Sequence, residues 1–214
     1  MLLRSTLVFV LLAMVPQQEK VRSYPTNPEE ASSRSGPEYG DGPSFTADGQ
    51  MKMPMRYREW IFLSSGVDMS YSPKAADTTT FDNVFANPEA YRSFLATGTW
   101  PDKTTIVLEV REAKSKGSIN QHGHFQGTSL LGMEVHVKDA ARFRGGWAFF
   151  DFDSPEKNGT LIPQGAPCYS CHAAHAAVDT TFVQFYPTLL PIAEMKKTFS
   201  DAYLKDEAAG AAQK

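Results

Sequence analysis

Leu131 to Phe152 reads LGMEVHVKDAARFRGGWAFFDF, and its pattern sets the fold class. From Leu130 to Val137 (LLGMEVHV), Met133, Val135 and Val137 alternate with Glu134 and His136, the period of two expected of a β-strand. Gly145-Gly146 then marks a turn into Trp147 to Phe152 (WAFFDF), an aromatic run with strand character.

Upstream, Glu59 to Ser64 (EWIFLS) is bulky and apolar and ends at Ser65-Gly66, which predicts a strand. Asn87-Pro88 predicts a helix start, with Asn87 as cap and Pro88 in the first turn. Tyr91, Phe94 and Leu95 share one face of that helix until Gly98 stops it. Trp100-Pro101-Asp102-Lys103 reads as a turn launching Thr104 to Arg111 (TTIVLEVR), a β-branched strand. Strands divided by polar turns, with helices late in the chain, predict an α+β domain on an antiparallel sheet.

Downstream lies Cys168-Tyr169-Ser170-Cys171-His172, which contains both cysteines of the 214-residue chain. The CxxCH spacing is the attachment pattern of c-type haem. Two thiols three residues apart lie on one helical turn, where each can add across a haem vinyl group. The imidazole of His172 is then held beneath the ring as proximal iron ligand. Three other readings compete. A thioredoxin-like redox pair needs a βαβ context that is missing here. A zinc site would have to combine Cys168, Cys171, His172 and His175 without a second cysteine pair. A structural disulfide leaves His172 unexplained. One covalent haem c on Cys168 and Cys171, with His172 on the metal, is the expected cofactor.

The N-terminus agrees with that chemistry. Arg4 precedes an apolar run from Ser5 to Val15 that is too short to span a bilayer, so residues 1–23 read as a signal peptide. Val21-Arg22-Ser23 is the best cleavage site, with no cysteine nearby for a lipid. Periplasmic or otherwise exported location follows. Residues 24–52 are rich in Pro, Gly, Ser and acidic residues and read as a flexible leader. The haem domain is expected over 53–205, and the Ala-rich, polar 206–214 as a disordered tail. The chain carries a net charge of −3, and loss of the basic residues 1–23 leaves −5. A mildly acidic surface argues against nucleic acid or an anionic membrane as ligand.

Three segments in order, FDNVFANPEAYRSFLATGTWPD (Phe81 to Asp102), Leu131 to Phe152 above, and CYSCHAAHAAVDTTFVQFYPTL (Cys168 to Leu189), resemble the cytochrome P-460 family. The resemblance implies a curved antiparallel sheet with packed helices, one haem c near the C-terminus, and a homodimer. It further implies a division by distal chemistry. The namesake enzymes carry a lysine bonded to the porphyrin and a carboxylate over the iron, and oxidise hydroxylamine. The related β-sheet cytochromes c′ lack the lysine and bind gases such as nitric oxide in an apolar pocket.

The strand where the lysine is expected, Thr104 to Arg111, contains none; Lys103 lies in the turn and Leu108 near the strand centre. Lys52, Lys74 and Lys138 are the other lysines considered. For the carboxylate, Glu134 shares strand parity with His136. It acts as proton acceptor over the iron if that face is the haem pocket, or is solvated if the face is open. A sixth iron ligand from His122, His124, Met69, Met133 or Met195 would instead make a simple electron-transfer cytochrome. His175 is a candidate near the propionates, and Phe62, Phe125, Phe149 and Phe150 are candidates for a dry pocket or for core. The function expected is redox chemistry on hydroxylamine or nitric oxide at an open iron site, with electrons passed to a soluble cytochrome. The alternatives are a non-enzymatic gas binder and an electron carrier.

Overall fold

A computed structural model of the chain describes residues 42–70 and 77–211. Six strands, β1 (Ile61–Val67), β2 (Thr80–Ala86), β3 (Thr105–Lys114), β4 (Phe125–Lys138), β5 (Trp147–Asp151) and β6 (Thr160–Leu161), form one antiparallel sheet in sequence order. Helix α1 (Pro88–Thr97) joins β2 to β3; α2 (Pro167–His175), α3 (Leu190–Lys196) and α4 (Asp201–Ala211) follow the sheet. The fold is α+β, as the strands divided by polar turns and the late helices predict, and the sheet is open.

The register sorts the central strands into rows. Ala86, Ile106, His136 and Phe149 stand side by side, and the next row on the same face is Ser64, Val84, Leu108, Glu134 and Asp151. Over the first row packs a core of Phe94, Trp100, Val178, Val183, Leu189 and Ile192, drawn from α1 and the turn after it, the chain after α2, and α3. The opposite face carries Phe85, Val107, Met133, Val135 and Phe150, covered by Met51, Tyr57 and Trp60 of the N-terminal segment. Both faces are therefore buried over much of their area, which is uncommon for an antiparallel meander.

Several local expectations change. Asn87 does not cap α1 with its side chain: it is buried, and its Oδ1 accepts the backbone N–H of Thr105 at 2.8 Å, tying the helix entry to β3. Pro88 still opens the helix, and Gly98 ends it at φ 77°, where a Cβ would meet Lys196 at 2.6 Å. The leader expected over 24–52 is folded from residue 42 onward. Met51 pairs with Phe45 and Gly159 and is 1% exposed. The tail expected from 206 continues α4 as far as Ala211, joined to α2 by a His175–Asp206 pair at 2.9 Å. Strand β2 was not anticipated from the sequence, and β4 begins at Phe125 rather than Leu130. The signal peptide expected over 1–23 lies outside the described residues.

One buried charge anchors the face away from α2. Glu109 is fully buried and receives hydrogen bonds from Tyr57 Oη at 2.5 Å, Asn83 Nδ2 at 3.1 Å, Arg111 at 3.0 Å and Arg58. Burial alone would raise its pKa, but the bonds from Arg111, Tyr57 and Asn83 and the charge of Arg58 together hold it down at about 2. A carboxylate lowered in the folded state adds stability that is complete above its ordinary 4.5 and is lost as pH falls toward about 2. Replacing Glu109 with Gln is expected to cost about 3–5 kcal/mol in urea unfolding at pH 7, because it leaves two guanidinium groups under-paired. The deficit should shrink as pH drops below 4; an unchanged unfolding midpoint at neutral pH would show that the network holds nothing together.

Candidate functional site

Helix α2 carries the CxxCH segment. Pro167 occupies its first turn, where a missing N–H costs nothing, and the Ser170 hydroxyl bonds back to the Pro167 carbonyl at 2.9 Å. Cys168, Cys171, His172 and His175 fall at i, i+3, i+4 and i+7, so all four share one stripe. In this fold both thiols are unpaired and half-buried.

Tyr169 fastens this helix to the sheet. Its hydroxyl donates to the Ile162 carbonyl at 3.0 Å and accepts the N–H of Phe149 at 3.2 Å. At the far end, Gln184 donates to the His175 carbonyl at 2.8 Å and accepts the Ala177 N–H at 3.0 Å, satisfying groups the helix terminus leaves free. The helix is held at both ends.

The result is a fixed imidazole. His172 Nδ1 donates to the backbone carbonyl of Thr180 at 2.7 Å. A carbonyl can only accept, so Nδ1 carries the proton and Nε2 keeps its lone pair. The ring lies between Phe182 (4.3 Å between centroids) and Phe149 (4.6 Å), with His136 edge-on at 5.4 Å. Burial pushes the His172 pKa below its usual 6.5, against the opposing pull of the Thr180 bond. A neutral, oriented imidazole with Nε2 free is what an axial iron ligand requires.

The donor set fits a haem better than a bare ion. Among the described residues no group of three or more His, Cys, Asp and Glu is arranged to hold a metal. One histidine suffices only where a macrocycle supplies the other equatorial ligands. The zinc reading therefore has no geometry to support it.

Next to His172 on the sheet is His136, 8% exposed. It stacks on Phe149 at 4.0 Å and 12°, lies 4.3 Å from Trp147, and places Nε2 3.1 Å from the Thr180 hydroxyl. Burial, and then the neighbouring His172, holds its pKa well below 6.5, so it is neutral at physiological pH. Glu134 stands one row further along the same face, directly across from Leu108 and Asp151. Loss of hydration raises its pKa, and the charge of Asp151 adds to the rise. Taken as a whole residue Glu134 is exposed, while Leu108 and Val84 beside it are half-buried. The face that the strand pattern left unassigned is the one that meets α2.

Other sequence candidates separate. Phe149 touches His172, whereas Phe150 is buried on the opposite face, and Phe62 and Phe125 are exposed elsewhere on the sheet. Met133 also points to the opposite core, so it cannot reach iron bound at His172. Met69 folds back over Gly66, and Met195 is exposed on α3. His122 and His124 lie in the exposed loop beyond Lys114, eight residues along β3 from Ile106, or about 26 Å at the rise of a strand. His175 pairs with Asp206. Lys138 is committed to the Trp100 carbonyl and Asp179, Lys52 is exposed on the N-terminal segment, and Lys74 is outside the described residues. Position 108, in the row of Glu134, is leucine.

A family model described as Cytochrome P460 matches residues 54–183, a span holding the whole sheet and the CxxCH helix. The chain belongs to the cytochrome P460 family. Members of this family bind haem, and it is a haem c family of the hydroxylamine- and nitric-oxide-related type. A search of curated proteins found no match. In this cytochrome P460 member, Phe182 and Thr180 complete the surroundings of His172; both lie just after the CxxCH motif, and neither carries a pattern that singles it out in the sequence.

Haem should remain on the wild-type polypeptide through denaturing electrophoresis, and the Cys168→Ser, Cys171→Ser double variant should lose that covalent stain. Wild-type protein that releases all its haem to acidic acetone would contradict thioether attachment.

Proposed function

We propose that this chain is an exported mono-haem c protein in which Cys168 and Cys171 carry the thioethers, His172 is the only axial protein ligand, and the row of Val84, Leu108 and Glu134 faces the distal side. The observation that carries this reading is the fixed imidazole: Nδ1 is spent on Thr180, so Nε2 is the group on offer. Bound there, haem supplies an iron that exchanges electrons and binds small nitrogen species.

The chain's own residues then have distinct tasks. Phe149 and Phe182 keep water from the proximal imidazole. Leu108 and Val84 give the row an apolar character that favours small, weakly polar ligands. Glu134, with its raised pKa, is the group able to take up protons that accompany electron loss from hydroxylamine. Electrons would leave to a soluble cytochrome partner, consistent with the acidic surface. Export rests on the reading of residues 1–23 and on the compartment in which haem c is expected.

A second reading, reversible binding of nitric oxide without turnover, is favoured by one observation: leucine occupies position 108, in the row shared with Glu134. The two readings divide on one variant. Glu134→Gln should lower hydroxylamine oxidation by about 10²–10⁴-fold while leaving nitric oxide binding intact. An unaltered rate removes Glu134 from the chemistry, and wild-type protein that binds nitric oxide but never consumes hydroxylamine selects the second reading.

A further inference from the structure

Thr180 serves two histidines with two different oxygens. Its carbonyl accepts the proton of His172 Nδ1 at 2.7 Å, and its hydroxyl meets His136 Nε2 at 3.1 Å. The two histidines come from elements far apart in the chain, α2 and β4. Only this residue links them by hydrogen bonds among those recorded for the described residues.

The loop around Thr180 is pinned at each neighbour. Val178 and Thr181 form a two-residue bridge, and the Thr181 hydroxyl donates to the Val178 carbonyl at 2.8 Å. Trp100 Nε1 donates to that same hydroxyl at 2.7 Å. Asp179 takes a left-handed conformation at φ 54° and accepts Lys138 at 3.0 Å. Among the described residues the side chain of Thr180 has one hydrogen-bond partner, His136. The His136 ring cannot yield, because it is stacked flat on Phe149 and flanked by Trp147 in the buried row of the sheet.

We propose that His136 is a positioning residue for the axial imidazole of His172, acting through Thr180. The sheet holds His136, His136 holds the Thr180 hydroxyl, and the peptide so oriented aims its carbonyl at Nδ1. The strength of that Nδ1–H···O=C bond sets how basic Nε2 is, and its direction sets the rotation of the imidazole about the iron–nitrogen axis. A histidine suits this post: its flat ring stacks as phenylalanine would, and its edge nitrogen bonds the hydroxyl as phenylalanine cannot. The inference rests on the reading of His172 as the axial ligand.

The test uses the haem-loaded ferrous protein and two variants that cut the same link from opposite ends. His136→Phe keeps the stacking and loses the bond; Thr180→Val keeps the carbonyl and loses the hydroxyl. Resonance Raman spectroscopy reads the iron–imidazole stretch, and a mediated redox titration reads the potential. Both variants should lower the stretching frequency and raise the potential in the same direction. The double variant should go no further than the larger single change, since both cut one coupling. Thr180→Ser, which retains the hydroxyl, should keep wild-type values. A stretch and potential unmoved in both variants overturn the proposal, and so does a shift in His136→Phe with none in Thr180→Val. Wild-type protein without any iron–imidazole band overturns the axial assignment itself, which is a different failure.

Discussion

The register of β3 against β4 is the constraint from which the rest of the site follows. It sets Leu108 across from Glu134 and Ile106 across from His136, and it sends Glu109 to the opposite face, into the bonds of Arg58, Arg111, Tyr57 and Asn83. Slipping by one residue would turn Glu109 and Val107 toward the helices and Leu108 toward the face of the arginines, and every β3 residue of the rows beside α2 would be lost to the other side. A buried ionised carboxylate that only one register can satisfy is an effective lock. The polar network on one face thus fixes what the other face presents.

On the helix side, the site is assembled by layering rather than by a cluster of ligands. The sheet contributes a rigid aromatic row, His136 with Phe149 and Trp147; α2 lays His172 against it; and the chain after α2 returns to close over the imidazole with Thr180 and Phe182. Tyr169 ties the helix to β5, so the distance between row and imidazole is set by hydrogen bonds to backbone. Beyond His172 the face changes from buried aromatic to half-buried aliphatic and then to the exposed pair Glu134 and Asp151. In the site proposed for haem, that gradient would give a dry proximal side and a distal side open to protons and small molecules.

Much of this was legible in the sequence, for physical reasons that also explain the gaps. The CxxCH segment declares itself because thioether chemistry demands that spacing, and the alternation in β4 declares that Glu134 and His136 share a face. Which face could not be read, since both sides of β4 are covered and hydrophobic periodicity distinguishes inside from outside, not one core from another. Strand β2 was hidden for the same reason: Phe81, Val84 and Phe85 point to both sides, and the polar Asn83 among them is buried on Glu109. Asn87 looked like a helix cap because that is what an Asn before Pro usually is, whereas β3 offers it a buried backbone N–H instead. Thr180 and Phe182 reach His172 from eight and ten residues further on through an irregular turn, and Thr180 meets His136 across 44 residues of chain, contacts that local pattern does not encode.

The measurement that bears most directly on the account is the absorption spectrum of the ferrous holoprotein, taken without added ligand and again with nitric oxide. An open iron on His172 beside a leucine at position 108 predicts an ordinary high-spin haem c spectrum that converts when nitric oxide is added. A low-spin spectrum before any addition would mean that a second side chain already holds the iron, and a strongly red-shifted Soret band would mean a lysine bonded to the porphyrin; either would contradict the site described.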